Sequence, residues 1–131
     1  MKNPYLKKII AQSVEDLHII SACCSESTVK ISEIKYLKKN KIFLISLKRI
    51  EKEVGNKKRI NSIIRFEYVE SSKSKNIDQN YPNIEMELIS IDFFKKNQNN
   101  EIALLFSNNR IITLSVEAIE VTLEDQKTFN D

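Results

Sequence analysis

The strongest constraint on this chain is a pair of short β-rich runs, Ile102–Phe106 and Ile111–Val116, with Asn108-Asn109 between them. Asparagine accepts a positive φ more readily than any residue except glycine. Asn-Asn therefore predicts a two-residue type I′ turn that joins the runs as a hairpin. In that register Phe106 lies opposite Ile111, Leu105 opposite Ile112, and Ala103 opposite Leu114, and opposed residues share a face. One face then carries Ile102, Leu104, Phe106 and Ile111, and the other carries Leu105, Ile112, Leu114 and Val116. Apolar residues on both sides near the turn imply a curved sheet covered on both faces. Past Val116 the apolar positions change parity to Ile119, Val121 and Leu123, which predicts a β-bulge near Glu117-Ala118. Val116, Ile119 and Leu123 also fit helical spacing, but the isoleucine, valine and threonine content favours strand over residues 116–125.

The remainder of the chain follows the same pattern. Tyr5 to Ile10 reads as an edge strand. Ser13 starts a helix that runs to about Cys24, with Asp16 as a short-armed capping-box partner and Val14, Leu17, Ile20 and Cys24 on one face. Val29–Leu37 and Ile42–Leu47 read as strands around the polar turn Lys38–Asn40, and Glu51–Lys58 is a charged loop holding Gly55. Arg59–Val69 alternates, with Ile60, Ile64, Phe66 and Tyr68 facing a core and Asn61, Arg65 and Glu67 facing away. Ser71–Pro82 is a long polar loop, Ile84–Phe94 a strand with a bulge, and Lys95–Asn100 a turn. The fold class is α+β and mainly antiparallel β. One N-terminal helix and about six strands form a curved sheet or partly closed barrel. Residues 1–131 make a single domain, with 1–4 and 127–131 frayed.

Composition removes several function classes. A chain of 131 residues can bury a core without metal or disulfide staples. Its single glycine excludes glycine-rich phosphate loops and dinucleotide fingerprints. No run approaches the roughly 18 apolar residues of a membrane span. The opening MKNPYLKKIIAQ lacks the apolar core of a signal peptide, so a cytoplasmic location is expected, and two cysteines agree with it. The net charge of +3 sits in lysine pairs at turns and ends, without the continuous stripe that nucleic acid favours.

Several fragments together carry a family resemblance: Glu15-Asp16-Leu17 with Ser21-Ala22, Arg59 with Arg65-Phe66, Asn76-Ile77-Asp78, and the ending IITLSVEAIEVTLED from Ile111 to Asp125. In this order they resemble the small alphaproteobacterial proteins grouped as domain of unknown function 2948, over about Tyr5 to Asp125. Members of that family carry Gln-Asp after the helix and an aromatic-rich Arg-Phe-x-Trp-Glu segment. Here the corresponding stretches are Ser25-Glu26 and Arg49-Ile50-Glu51-Lys52-Glu53. The resemblance implies a shared fold and a bacterial cytoplasmic setting, and it implies no activity.

The residues able to do chemistry are few. Cys23-Cys24 with His18 falls short of a zinc set, and His18 has no nucleophile at a recognisable motif. Glu51 with Glu53, and Glu85 with Glu87, pair carboxylates at strand spacing without a partner motif. Arg49, Arg59 and Arg65 are the candidate anion-binding set, able to grip phosphate or carboxylate through bidentate forks if they share a face. The expectation is a non-catalytic protein-binding or scaffolding module with no cofactor, no metal and no membrane partner. The alternatives are weak nucleic-acid binding through the lysines, and a small-anion binder or enzyme built on the three arginines.

Overall fold

Polar and apolar residues alternate along most of the chain, and alternation makes strands that are buried on one face. The computed structural model describes residues 6–51 and 58–126, and in them it contains ten strands and one α-helix. In chain order these are β1 (Lys8–Ala11), α1 (Val14–Cys24), β2 (Ser27–Lys30), β3 (Ile34–Leu37), β4 (Ile42–Glu51) and β5 (Lys58–Phe66). They continue as β6 (Val69–Lys75), β7 (Glu85–Lys96), β8 (Asn99–Phe106), β9 (Arg110–Val116) and β10 (Val121–Asp125). The hydrogen-bonded order is β1-β10-β5-β4-β2-β7-β8-β9-β6, with β3 also on β4, and every pairing is antiparallel. The charged segment around Gly55 and the expected frayed ends at 1–4 and 127–131 lie outside the described residues.

The α+β class, the lone N-terminal helix and the antiparallel sheet are as the sequence predicts. Two expectations are corrected: there are ten strands instead of about six, and the sheet is open, with β1 and β6 at its ends. A 3₁₀ turn at Ile31–Glu33 splits the expected strand Val29–Leu37 into β2 and β3. Ser71–Lys75, expected as loop, forms most of β6 and pairs with β9, because a backbone ladder does not require apolar side chains. Residues 116–125 are not one bulged strand. β9 ends at Val116, and β10 begins at Val121 against β1 and β5.

Inward-facing residues stack in register. Phe43, Phe66 and Val121 form one row across β4, β5 and β10, and Ile45, Ile64, Leu123 and Ile9 form the next. Leu17, Ile20 and Cys24 of α1 complete the same cluster, and the helix is started by Ser13, whose Oγ accepts the Asp16 N–H at 3.1 Å. The expected bulge in β7 lies between Leu88 and Ser90. It exposes Ile89 and returns Ile91 to the core, where the Ile91 N–H donates to Ser21 Oγ on α1 at 2.9 Å.

The hairpin shows how sensitive register is. Asn108 and Asn109 have φ of 61° and 58°, the left-handed geometry that their identity suggests. Three residues connect the strands, however, so Phe106 faces Arg110, Leu105 faces Ile111, and Leu104 faces Ile112. A one-residue slip moves a whole strand to the other face. Ile112, Leu114 and Val116 therefore join Ile102, Leu104 and Phe106 in the core, while Leu105 and Ile111 are only half-buried. Tyr68 is a second correction. It is exposed with φ 59°, turning the chain out of β5, and Val69 takes the core position instead.

Candidate functional site

An open sheet leaves strand edges without partners, and here two of them face each other. Among the described residues β3 pairs only with β4, and β6 only with β9. Between them lies a groove of about 220 Å³, lined on the β3 side by Ile31, Ile34, Tyr36 and Phe43, and on the β6 side by Ser72, Ser74 and Ile112. Tyr36 tilts against Phe43, which stacks edge-on against Phe66, so the floor of the groove is continuous with the core.

Both ends of this seam are tied. At one end the Val69 N–H donates to the Lys41 carbonyl at 2.8 Å, and Tyr36 Oη donates to the Val69 carbonyl at 2.9 Å. At the other end, the segment after β6 folds over the 3₁₀ turn. The Ile31 and Ser32 N–H groups donate to the carbonyls of Ile84 and Pro82 at 3.1 and 2.9 Å. That segment is held locally by Asn76, with φ 64° and its Nδ2 donating to the Asn109 carbonyl, and by Asp78, whose Oδ1 accepts the Asn80 N–H. Ile77 packs against the core and, with Gln79, lines the groove. Since β6 begins beside Lys41 and its continuation reaches Ile31, the two facing edges run antiparallel. Leu37, Tyr68, Tyr81 and Ile84 are large apolar side chains left exposed on β3, at the start of β6 and on the covering segment; Tyr68 is 49% and Tyr81 60% accessible.

The three candidate arginines are placed quite differently from one another. Arg49 continues the inward row of β4 past Leu47 and is 1% exposed. Its Nε donates to Asp125 Oδ1 at 2.8 Å and its Nη2 to Oδ2 at 2.6 Å, a bidentate fork. Ser62, directly across from Asp125 on β5, donates its hydroxyl to Oδ1 at 2.7 Å, and the Lys7 N–H reaches Oδ2 at 2.8 Å. The Asp125 N–H returns a bond to the Lys7 carbonyl at 2.9 Å. Burial pushes the Asp125 carboxyl up, but the Arg49, Ser62 and Lys7 hydrogen bonds and the guanidinium charge outweigh it and hold it below the usual carboxylate range. An anion at Arg49 would have to displace that carboxylate.

Arg59 is exposed on the outer face and reaches across β4. Its Nη1 donates to the Lys48 carbonyl at 3.1 Å, to Thr28 Oγ1 at 3.3 Å and to the Glu26 carbonyl at 3.5 Å. Arg65 is exposed near the far end of β5, about 20 Å along the strand, and pairs with Glu67. The structure brings none of the three together. His18 is exposed, Cys23 is half-buried and Cys24 lies in the core. Among the described residues no group of three His, Cys, Asp or Glu is arranged to hold a metal ion, and no helix is long and apolar enough to cross a membrane.

One family matches residues 7–130, nearly all of the chain. The chain belongs to the family described as protein of unknown function (DUF2948). No curated protein and no solved structure matches it.

For this DUF2948 chain, the seam is the feature that the sequence reading missed. A signal was present in Ser71–Lys75, where Ser72 and Ser74 alternate with Lys73 and Lys75. Lysine on the outer face is a common mark of an edge strand. Polarity hid the strand, because period-two reading looks for apolar residues.

Proposed function

We propose that this DUF2948 chain is a non-catalytic protein-binding module that takes an extended segment of another protein into the seam between β3 and β6. The observation that carries the reading is the pair of facing strand edges above an apolar floor. An added strand gains affinity from main-chain hydrogen bonds and specificity from alternate side chains. The exposed Leu37, Tyr68, Tyr81 and Ile84 around the opening offer the apolar contact that protein interfaces use. Arg49 and Asp125, a buried ion pair, are already committed to each other.

Selection from a displayed library of short random peptides, followed by hydrogen exchange on the chain with an enriched peptide, tests this. Slowed exchange of amides in both β3 and β6 is expected. Enriched peptides that leave those two strands unchanged, or a library that enriches nothing, would sink the reading.

A further inference from the structure

Resting on that reading, we infer that the segment taken into the seam is acidic, with acidic and apolar residues in alternation. The two flanking strands present opposite chemistry on their two sides. Ile34 and Tyr36 of β3 and Ser72 and Ser74 of β6 line the groove. Alternation therefore sends Lys35, Lys73 and Lys75 to the outer side, where all three are exposed. Lys38 and Lys39 add two more exposed ammonium groups in the turn after β3.

The lysines outnumber the acids near this rim, and they hold the outward positions of β3 and β6 beside the middle of the groove. Glu117 and Glu70 lie 3.3 and 3.8 Å from Lys41 Nζ, so one lysine answers two glutamates and that end of the seam keeps a single negative charge. Lys35, Lys38, Lys39, Lys73 and Lys75 then face Glu33 and Asp78, which flank the 3₁₀ turn and the covering segment, and Glu101, which shares an outer hollow with Lys73. A strand laid between β3 and β6 points every second side chain outward into this basic rim and the others inward toward Ile34, Tyr36, Ile77 and Ile112. Carboxylates outside and small apolar groups inside satisfy both sides. Because the flanking edges run antiparallel to each other, the occupant is parallel to one and antiparallel to the other. A nucleotide chain meets the lysines equally well but has no amide ladder to complete the two edges, so a peptide is the favoured occupant.

Three labelled probes separate these outcomes: an acetylated, amidated Glu-Val-Glu-Val-Glu-Val-Glu peptide, its counterpart with Lys for Glu, and oligouridine. Binding to the full chain is followed by fluorescence anisotropy at low and high salt, with hydrogen exchange on each complex. The acidic peptide is expected to bind at least tenfold more tightly than the lysine peptide at low salt and to slow exchange in β3 and β6. Added salt should narrow that gap. The double variant Lys73→Glu with Lys75→Glu, both exposed positions, should reverse the preference; Lys35→Glu is the substitute if the double variant folds poorly.

Equal binding of the two peptides, with β3 and β6 still protected, would overturn the charge inference and leave the seam reading standing. Neither peptide protecting the seam, together with an empty library selection, would end both. Oligouridine binding more tightly than the acidic peptide, with β3 and β6 unprotected, would reassign the lysines to nucleic acid.

Discussion

Two of the places where polar side chains interrupt the inward-facing rows have opposite outcomes. At the end of β4, β5 and β10, Arg49, Ser62 and Asp125 replace apolar residues and satisfy one another in a buried network that also grips the Lys7 backbone. Along β6, Ser72 and Ser74 replace apolar residues and line an opening. In the first case charge matching and register, with Ser62 opposite Asp125 and Arg49 one step further along, seal the core. In the second, small hydroxyls fill little space and supply no charge, so the sheet stays open. The same sequence device, a polar residue at an inward position, closes one end and opens the other according to what stands across from it.

The largest expected effect lies in the closed network. Asp125→Ala removes the carboxylate that both Arg49 Nε and Nη2 grip, and breaking one partner of a buried pair costs about 3–5 kcal/mol. Urea unfolding should show a large fall in midpoint. The double variant Arg49→Met with Asp125→Leu should recover much of the loss, since apolar pairs of similar volume often replace buried ion pairs at little cost. A double variant as unstable as the sum of its singles would mean that the two residues act independently.

Acid should reveal the same network. The folded Asp125 carboxyl titrates below its ordinary value of 3.8, so between the two values the unfolded chain binds more protons than the folded one. Its contribution is fully present above 3.8 and is lost as pH falls through the folded value. Stability curves should therefore steepen in that acidic window, and Asp125→Asn should flatten them. An unchanged acid limb in the variant would show that other carboxylates set it.

How much of this was legible in the sequence depends on side-chain chemistry. The helix start at Ser13, the left-handed Asn108-Asn109 turn, the β7 bulge and the core face of β5 from Ile60 to Phe66 were readable, because each leaves a local mark in residue type or spacing. The hairpin register was missed by one residue, since Ser107 gives no sign of belonging to the turn. β6 was missed because a polar edge strand resembles a loop when only apolar periodicity is counted. Arg49 was singled out as a candidate, but its partner lies 76 positions away, and one sequence gives no means to join Arg49 to Asp125.

A smaller effect is expected at the tied end of the seam. Tyr36→Phe keeps the ring against Phe43 and removes only the hydroxyl bond to the Val69 carbonyl. A net hydrogen bond is worth about 0.5–1.5 kcal/mol, so the loss should be near 1 kcal/mol, several times less than at Asp125. Exchange at the start of β6 should quicken while the Arg49 end is unaffected. A global loss like that of Asp125→Ala would mean that the seam is as tightly coupled to the core as the closed network, and the contrast between the two regions would fail.

The smallest effect sharpens the contrast most directly, because it sets an exposed ion pair against the buried one. Lys41 Nζ lies 3.3 Å from Glu117 and 3.8 Å from Glu70, and all three side chains are about half exposed. Exposed pairs contribute roughly 0.2–1 kcal/mol at most, screened further by salt. The tie that matters at Lys41 is its carbonyl, which accepts the Val69 N–H and survives any side-chain change. Lys41→Ala should therefore cost less than about 0.5 kcal/mol, with little change on adding salt. If it instead costs as much as Tyr36→Phe and the cost vanishes in high salt, charge holds that end of the seam shut. The seam would then open and close with ionic strength, where a backbone tie would keep it fixed.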